Sequence, residues 1–214
     1  MKKLIILDFD GTLADTREII VRTQQEAQRR MGYPITDEAK IMSTVGFVLE
    51  ECIRMMYPDV PDEEIPAWVA MYREVFDSFK GKIVPKFFPH VKETLKTLSE
   101  RGYTITVASS RSNHSLTDFL RGMGVSPFIS YVLGAEDVKL PKPDPEPVLK
   151  TLRDLGASAS DAIVVGDMPV DIQMGRGAGA KTCGVSYGNA GRDALKQSGA
   201  DYIIDDFSEL LAIL

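Results

Sequence analysis

Six short apolar runs, most of them closed by a polar residue or glycine and followed by a stretch with helical spacing, constrain this sequence more than any other feature. They are LIIL before Asp8, TITVA before Ser109, YVL before Gly134, AIVV before Gly166, TCGVSY after Lys181 and YII before Asp205. β-Branched residues recur in them, as strands favour. Strands alternating with helices predict an α/β fold: a Rossmann-like three-layer core around a mainly parallel sheet. Ligands of such sheets bind beyond the carboxyl ends of the strands, so the polar residues there are the first place to seek chemistry.

The intervening segments carry readable helix signals. Pro89 opens a stripe of Val91, Leu95 and Leu98 that stops at Arg101-Gly102. Leu116, Phe119, Leu120 and Met123 end at Gly124, and Leu149, Leu152 and Leu155 end at Gly156. Ser208 is placed to cap a last helix through Leu210, Leu211 and Leu214. From Thr16 to about Lys80 the strand pattern stops and three helical stripes replace it. They run Ile20, Thr23, Ala27, Met31; then Val45, Leu49, Cys52, Met56; then Ile65, Trp68, Tyr72, Val75, Phe79. The expected division is a catalytic core of 1–15 and 84–214 with an α-helical cap inserted at 16–83. The stretch Gly81-Lys82-Ile83-Val84-Pro85 returns the chain to the core, where Gly and Pro suit a hinge.

With 214 residues, 44% of them hydrophobic and 26% charged, the chain can bury a core without staples and has the balance of a soluble globular protein. A net charge of -6 disfavours nucleic acid, which draws on clustered Lys and Arg, yet leaves room for a small anion at a local site. Cys52 and Cys183 form neither a CxxC pair nor a zinc pattern, which predicts a reduced, cytoplasmic setting. The apolar run at the start is too short for a signal peptide, and no run is long enough to predict a membrane span.

DFDGTLADT places Asp8 and Asp10 directly after the first strand. Two carboxylates so close repel each other unless a cation or a shared proton intervenes. Alone, such a string reads as an acidic turn that caps a helix. TITVA ends at Ser109-Ser110-Arg111, where hydroxyls and a cation could meet a phosphate oxygen, although serines there also serve as turn or cap residues. KLPKPDP fixes the backbone around Lys142 with three prolines, and AIVV runs into GDMPVD, supplying Asp167 and Asp171. Helix capping accounts well for Asp171 and less well for Asp167.

The order DxDGT, Ser, Lys, GDxxxD, each motif at or just beyond a strand end, resembles the haloacid dehalogenase-like superfamily, in its phosphatase branch with a helical cap. The resemblance covers Leu4 to about Ile204, and the DFDGTLADT start and VGFVLEECIRMM look most like phosphoglycolate phosphatases. It implies that Asp8 is a nucleophile forming an aspartyl-phosphate and Asp10 the general acid/base. It also implies Mg2+ held by Asp8, the Asp10 carbonyl and Asp167, with Asp171 assisting, while Ser109 and Lys142 bind the phosphoryl oxygens. Thr12 would order the loop, and Ser110 and Arg111 would lie near the substrate, a small phosphorylated metabolite.

Other readings stay open. An inorganic pyrophosphatase or a sugar-phosphate phosphomutase of the same superfamily would share the motifs. A phospho-accepting signalling domain also uses clustered Asp, Ser or Thr, Lys and magnesium, but is smaller and has no helical insertion. Dehalogenases lack an equivalent of Asp10, and transport ATPases carry threonine there together with membrane helices. The helical unit could also be a partner surface, although its large apolar residues are better explained as its own core.

Overall fold

A computed structural model of the chain describes residues 3–214. In chain order its elements begin with β1 (Leu4–Leu7), β2 (Ala14–Asp15), α1 (Arg17–Met31), α2 (Glu38–Met42), α3 (Leu49–Met56), α4 (Ile65–Phe79) and β3 (Lys86–Phe87). Then follow α5 (Val91–Glu100), β4 (Thr104–Ala108), α6 (Asn113–Gly122), β5 (Tyr131–Leu133) and α7 (Glu146–Leu155). The chain closes with β6 (Ala162–Gly166), α8 (Pro169–Gly177), β7 (Lys181–Val185), α9 (Gly191–Gln197), β8 (Tyr202–Ile204) and α10 (Leu210–Ile213).

Six strands form one parallel sheet in the order β5-β4-β1-β6-β7-β8, as the apolar runs predict. Its central pairing sets Leu4 against Thr104 and Ala162 and Leu7 against Val107 and Val165. Alternate residues serve opposite faces. Ile5, Leu7, Ile105, Val107, Ile163 and Val165 pack on α5 and α6 through Val91, Leu95, Leu98, Leu116 and Leu120. Leu4, Ile6, Ala108, Ala162 and Val164 pack on α7 and α8 through Val148, Leu152 and Met174. Burial on both faces is why these strands are apolar throughout rather than alternating. Each fully buried Leu, Ile or Val contributes about 1.5–3 kcal/mol, so the sheet center is a rigid platform for whatever leaves its ends.

After β1 the chain builds outward through β4 and β5, then crosses back to add β6, β7 and β8 on the other side. The strand order therefore reverses at β1, and a crevice opens at its carboxyl end. The helices between Thr16 and Lys80 carry two apolar clusters of their own, one around Ile41, Cys52 and Phe76 and one around Ile53, Trp68 and Val75. Four helices stand where three stripes were expected, since Asp37 caps the short α2 through Lys40 N. The entering and leaving segments pair as a two-stranded antiparallel ribbon, Ala14 with Phe87 and Asp15 with Lys86. Two residues per strand are too few to show periodicity in a sequence.

Two helix expectations shift in detail. α7 buries Val148, Thr151 and Leu152 and leaves Leu149 45% exposed, so its apolar stripe is turned by one residue from the Leu149 reading. At the C-terminus Asp206, not Ser208, is the cap: its carboxylate accepts from Ser208 N at 2.8 Å, and a short 3-10 turn precedes α10.

Candidate active site

Three strands deliver the site. β1 ends at Leu7, one residue before Asp8, β4 at Ala108, one before Ser109, and β6 at Gly166, one before Asp167. Lys142 arrives on the loop before α7, and Asp171 sits in the first turn of α8. Asp8, Ser109, Lys142, Asp167 and Asp171 are all buried, at 5%, 8%, 2%, 0% and 0% exposure. Burying that many charged groups is costly unless they are paired, so their pairing is the central question.

Lys142 Nζ donates to Asp8 Oδ1 at 2.6 Å and to Asp171 Oδ1 at 2.7 Å. Asp171 uses its other oxygen to accept from Met168 N at 3.1 Å, so it caps α8 and pairs with Lys142 at once. Burial alone would push Lys142 down; Asp171 and Asp8 outweigh it and hold the ammonium above its ordinary range. Burial pushes Asp8 up to about 7 against the pull of Lys142, with Asp171 and Asp10 adding repulsion. Asp167 accepts from Asn189 N at 2.7 Å but makes no ion pair among the described residues. Burial, and after it the charge of Asp8, raises Asp167 well above the carboxylate range.

Asp8, Asp167 and Asp171 each place a carboxylate oxygen within 4.8 Å of the others. Counting Asp10, four carboxyl groups meet two cations among the described residues, Lys142 and Arg111, so ionising all four leaves an excess of two negative charges. An all-oxygen donor set with that excess fits a hard divalent cation. The Thr12 hydroxyl lies 3.3 Å from Asp8 Oδ2 and 3.5 Å from Asp167 Oδ1, across the same cluster.

Asp10 points elsewhere. Arg111 grips its carboxylate with both arms of the guanidinium fork, Nε to Oδ2 at 3.0 Å and Nη2 to Oδ1 at 2.5 Å. The guanidinium carbon lies 4.8 Å from the Phe119 ring, 5.3 Å from Phe76 and 5.9 Å from Phe9. Phe76 belongs to α4 and Phe119 to α6, so one cation is caged between the helical unit and the sheet domain. Ser110 makes a second bridge, its hydroxyl donating to Gly46 O at 2.6 Å. Ser109 Oγ accepts from Arg111 N at 3.2 Å. Of the residues singled out in the sequence, then, Asp8, Thr12, Ser109, Lys142, Asp167 and Asp171 converge at the crevice. Asp10 and Arg111 pair at its edge, and Ser110 reaches the helical unit.

The segment after β7 adds two contacts that no motif in the sequence marks. Asn189 N binds Asp167, and the Tyr187 hydroxyl donates to Thr12 O at 2.8 Å, fixing the loop that carries the first motif. The only available signal was that SYGN follows a strand end.

Glycines make the crowding possible. Gly11 has φ +87°, and a Cβ there would lie 2.2 Å from Asp167 Oδ2. A Cβ on Gly166 would lie 2.3 Å from Asp171 Cβ. Gly11→Ala is expected to cost about 2–5 kcal/mol, combining a left-handed alanine with overpacking. The check is the urea midpoint at constant slope. A variant as stable as the parent would refute the close approach.

A cavity of about 580 Å³ opens above these residues, lined by Asp8, Asp10 and Ser109 below and by α1, α3 and α4 above. Among the described residues no helix is long and apolar enough to cross a membrane.

Comparison with known proteins gives a consistent result. The model of a family described as haloacid dehalogenase-like hydrolase matches residues 5–185. The chain is 37% identical over 216 residues to the "Probable phosphatase IndB" of Dickeya dadantii, covering 99% of this chain and 93% of that one. It is 31% identical over 210 residues to the pyrophosphatase PpaX of Bacillus pumilus, covering 98% and 95%. Among solved structures, one described as a predicted phosphoglycolate phosphatase from Haemophilus somnus superposes with a TM-score of 0.88 at 25% identity, covering 99% of this chain and 97% of that one.

Proposed function

The chain belongs to the haloacid dehalogenase-like hydrolase family and is a phosphatase, and from that premise we propose that it hydrolyses a small phosphate monoester through a covalent phosphate on Asp8, with Mg2+ as cofactor. One observation carries the reading: Lys142 Nζ stands 2.6 Å from Asp8 Oδ1, inside a buried cluster that also holds Asp167 and Asp171.

In this reading Asp8 attacks phosphorus and the bond from phosphorus to the leaving oxygen breaks. Asp10 gives its proton to that oxygen, and an alcohol departs. The resulting acyl phosphate on Asp8 is then attacked by water, whose proton returns to Asp10, releasing inorganic phosphate and restoring both carboxyls. Splitting one displacement into two lowers each barrier. Lys142 neutralizes charge gathering on the equatorial oxygens, with Ser109 as a hydroxyl donor beside it. Asp8, Asp167 and the Asp10 carbonyl would hold the ion, with Asp171 assisting. Bound there, Mg2+ supplies charge stabilization for the phosphoryl oxygens and offsets the repulsion between Asp8 and an incoming phosphate.

Residues 16–83 would act as a cap over a core of 1–15 and 84–214. The cap would keep bulk water from the acyl phosphate until the alcohol has left. The Arg111 cage and the Ser110 bond to Gly46 are contacts through which it would seat.

The test is phosphate release from a panel of monoesters, pyrophosphate and a sugar 1-phosphate, with and without metal. EDTA is expected to lower turnover by at least ~100-fold, as several kcal/mol of lost charge stabilization requires, and Mg2+ to restore it. Activity that survives EDTA sinks the metal assignment. Isomerization of the sugar phosphate without phosphate release would mark a mutase, and one stable phosphorylation per chain a signalling domain.

A further inference from the structure

The roof of the cavity limits what can leave. Its side chains include Ile20, Val45, Leu49, Cys52, Tyr72 and Phe76, an apolar surface supplied by the helical unit. Among them stands Gln24 of α1, 3% exposed, whose Oε1 has no hydrogen-bond partner among the described residues. Gln28, one turn later and also buried, shows the contrast. It accepts from Thr36 N at 2.9 Å and donates to Thr36 Oγ1 at 2.8 Å, tying down the loop after α1. Native proteins seldom leave a buried polar atom unpaired. Thr23 Oγ1 and Trp68 Nε1 are also without partners among the described residues, but of the three residues Gln24 alone lines the cavity, where a bound group can complete its bonding.

Charge points the same way. Of the basic side chains in the cavity wall, Arg111 is held by Asp10, and Arg73 lies 3.6 Å from Glu136. Lys139 stands exposed on the loop after β5, on the sheet side, and exposed His114 lies 3.5 Å from Asp118. Glu50, Asp77 and Glu136 add negative charge to the same wall. A leaving group with its own carboxylate or second phosphate would shed water against aliphatic carbon and meet a single roof cation, Arg73 of α4, which Glu136 already faces at 3.6 Å. An uncharged molecule would bury its carbon skeleton there and bond to Gln24.

Building on the monoesterase reading above, we infer that the substrate is the phosphate ester of an uncharged, hydroxyl-bearing organic molecule, and that Gln24 is the cap residue that binds it. A cavity of about 580 Å³ suits such a ligand, whereas pyrophosphate and phosphoglycolate would leave most of it unfilled.

The experiment compares kcat/KM, with Mg2+, for sugar phosphates and a nucleoside monophosphate against pyrophosphate and phosphoglycolate, in the parent and in Gln24→Leu and Gln24→Glu. The best neutral-leaving-group ester should exceed both anionic substrates by at least about 30-fold, the effect of one uncompensated charged group. Gln24→Leu should raise KM for that ester about five- to tenfold, the size of one neutral hydrogen bond, with kcat changing far less. Gln24→Glu, which keeps the shape, should raise KM as well. A Gln24 with only a structural role would leave KM unchanged in both variants. That result, or a preference for pyrophosphate or phosphoglycolate, overturns the inference. Failure to hydrolyse any substrate would sink the monoesterase reading itself, and this inference with it.

Discussion

Asp8→Asn is expected to abolish turnover while leaving the fold at least as stable as before. Asparagine keeps the shape and loses the attacking carboxylate, so the loss should reach at least ~10^4-fold, in the range seen when a covalent nucleophile is removed. Stability should not suffer, because the carboxylate it removes is buried and repelled by Asp171 and Asp10 as well as attracted by Lys142. Lys142 retains Asp171 at 2.7 Å, so its charge is not stranded. Mass spectrometry after an acid quench gives the direct readout: during turnover the parent peptide containing Asp8 gains the mass of one phosphate, and the corresponding peptide of the Asp8→Asn variant does not. Turnover at the parent rate in the variant would remove Asp8 from the chemistry.

What could be read in advance depended on whether a residue's duty was local. Asp8, Ser109 and Asp167 were legible because each follows a buried strand, and a polar residue at that point faces the crevice whatever else the chain does. The sheet was legible for the same reason, its strands being apolar on both faces. The Asp10–Arg111 pair joins positions 101 residues apart, and nothing local to either one announces it. Asn189 contributes a backbone N–H, a group every non-proline residue has, so residue type gave no hint. Gln24 falls between Ile20 and Ala27 on a stripe whose spacing reads as helix core, and its unpaired amide exists only once the roof is assembled. The phase error in α7 has a simpler cause: Val148 and Leu149 are adjacent apolar residues, and spacing alone cannot say which of them faces the sheet.

Asp10→Asn tests the step that separates a catalyst from a protein that merely becomes phosphorylated. As found, Asp10 accepts a hydrogen bond from Arg111 on each of its two carboxylate oxygens. With both oxygens turned to the fork, neither faces a leaving group, so its acid role requires it to leave the fork and turn toward the leaving oxygen. Arg111, caged by Phe9, Phe76 and Phe119, spans the helical unit and the sheet domain, which ties release of Asp10 to how the helical unit sits. The asparagine of the variant would still accept from Arg111 but could carry no proton in either direction. Turnover should therefore fall by about 10²–10⁴-fold, the usual worth of a positioned acid or base. The choice of ester separates the two half-reactions. An aryl phosphate with a good leaving group needs little acid help, so Asp8 should still be phosphorylated and release one equivalent of phenolate in a burst. The acyl phosphate would then persist, because water lacks its base. Parent-like steady turnover in Asp10→Asn would show that the acid/base is another group, and loss of the burst together with turnover would show that Asp10 serves the phosphorylation of Asp8 by something other than proton transfer.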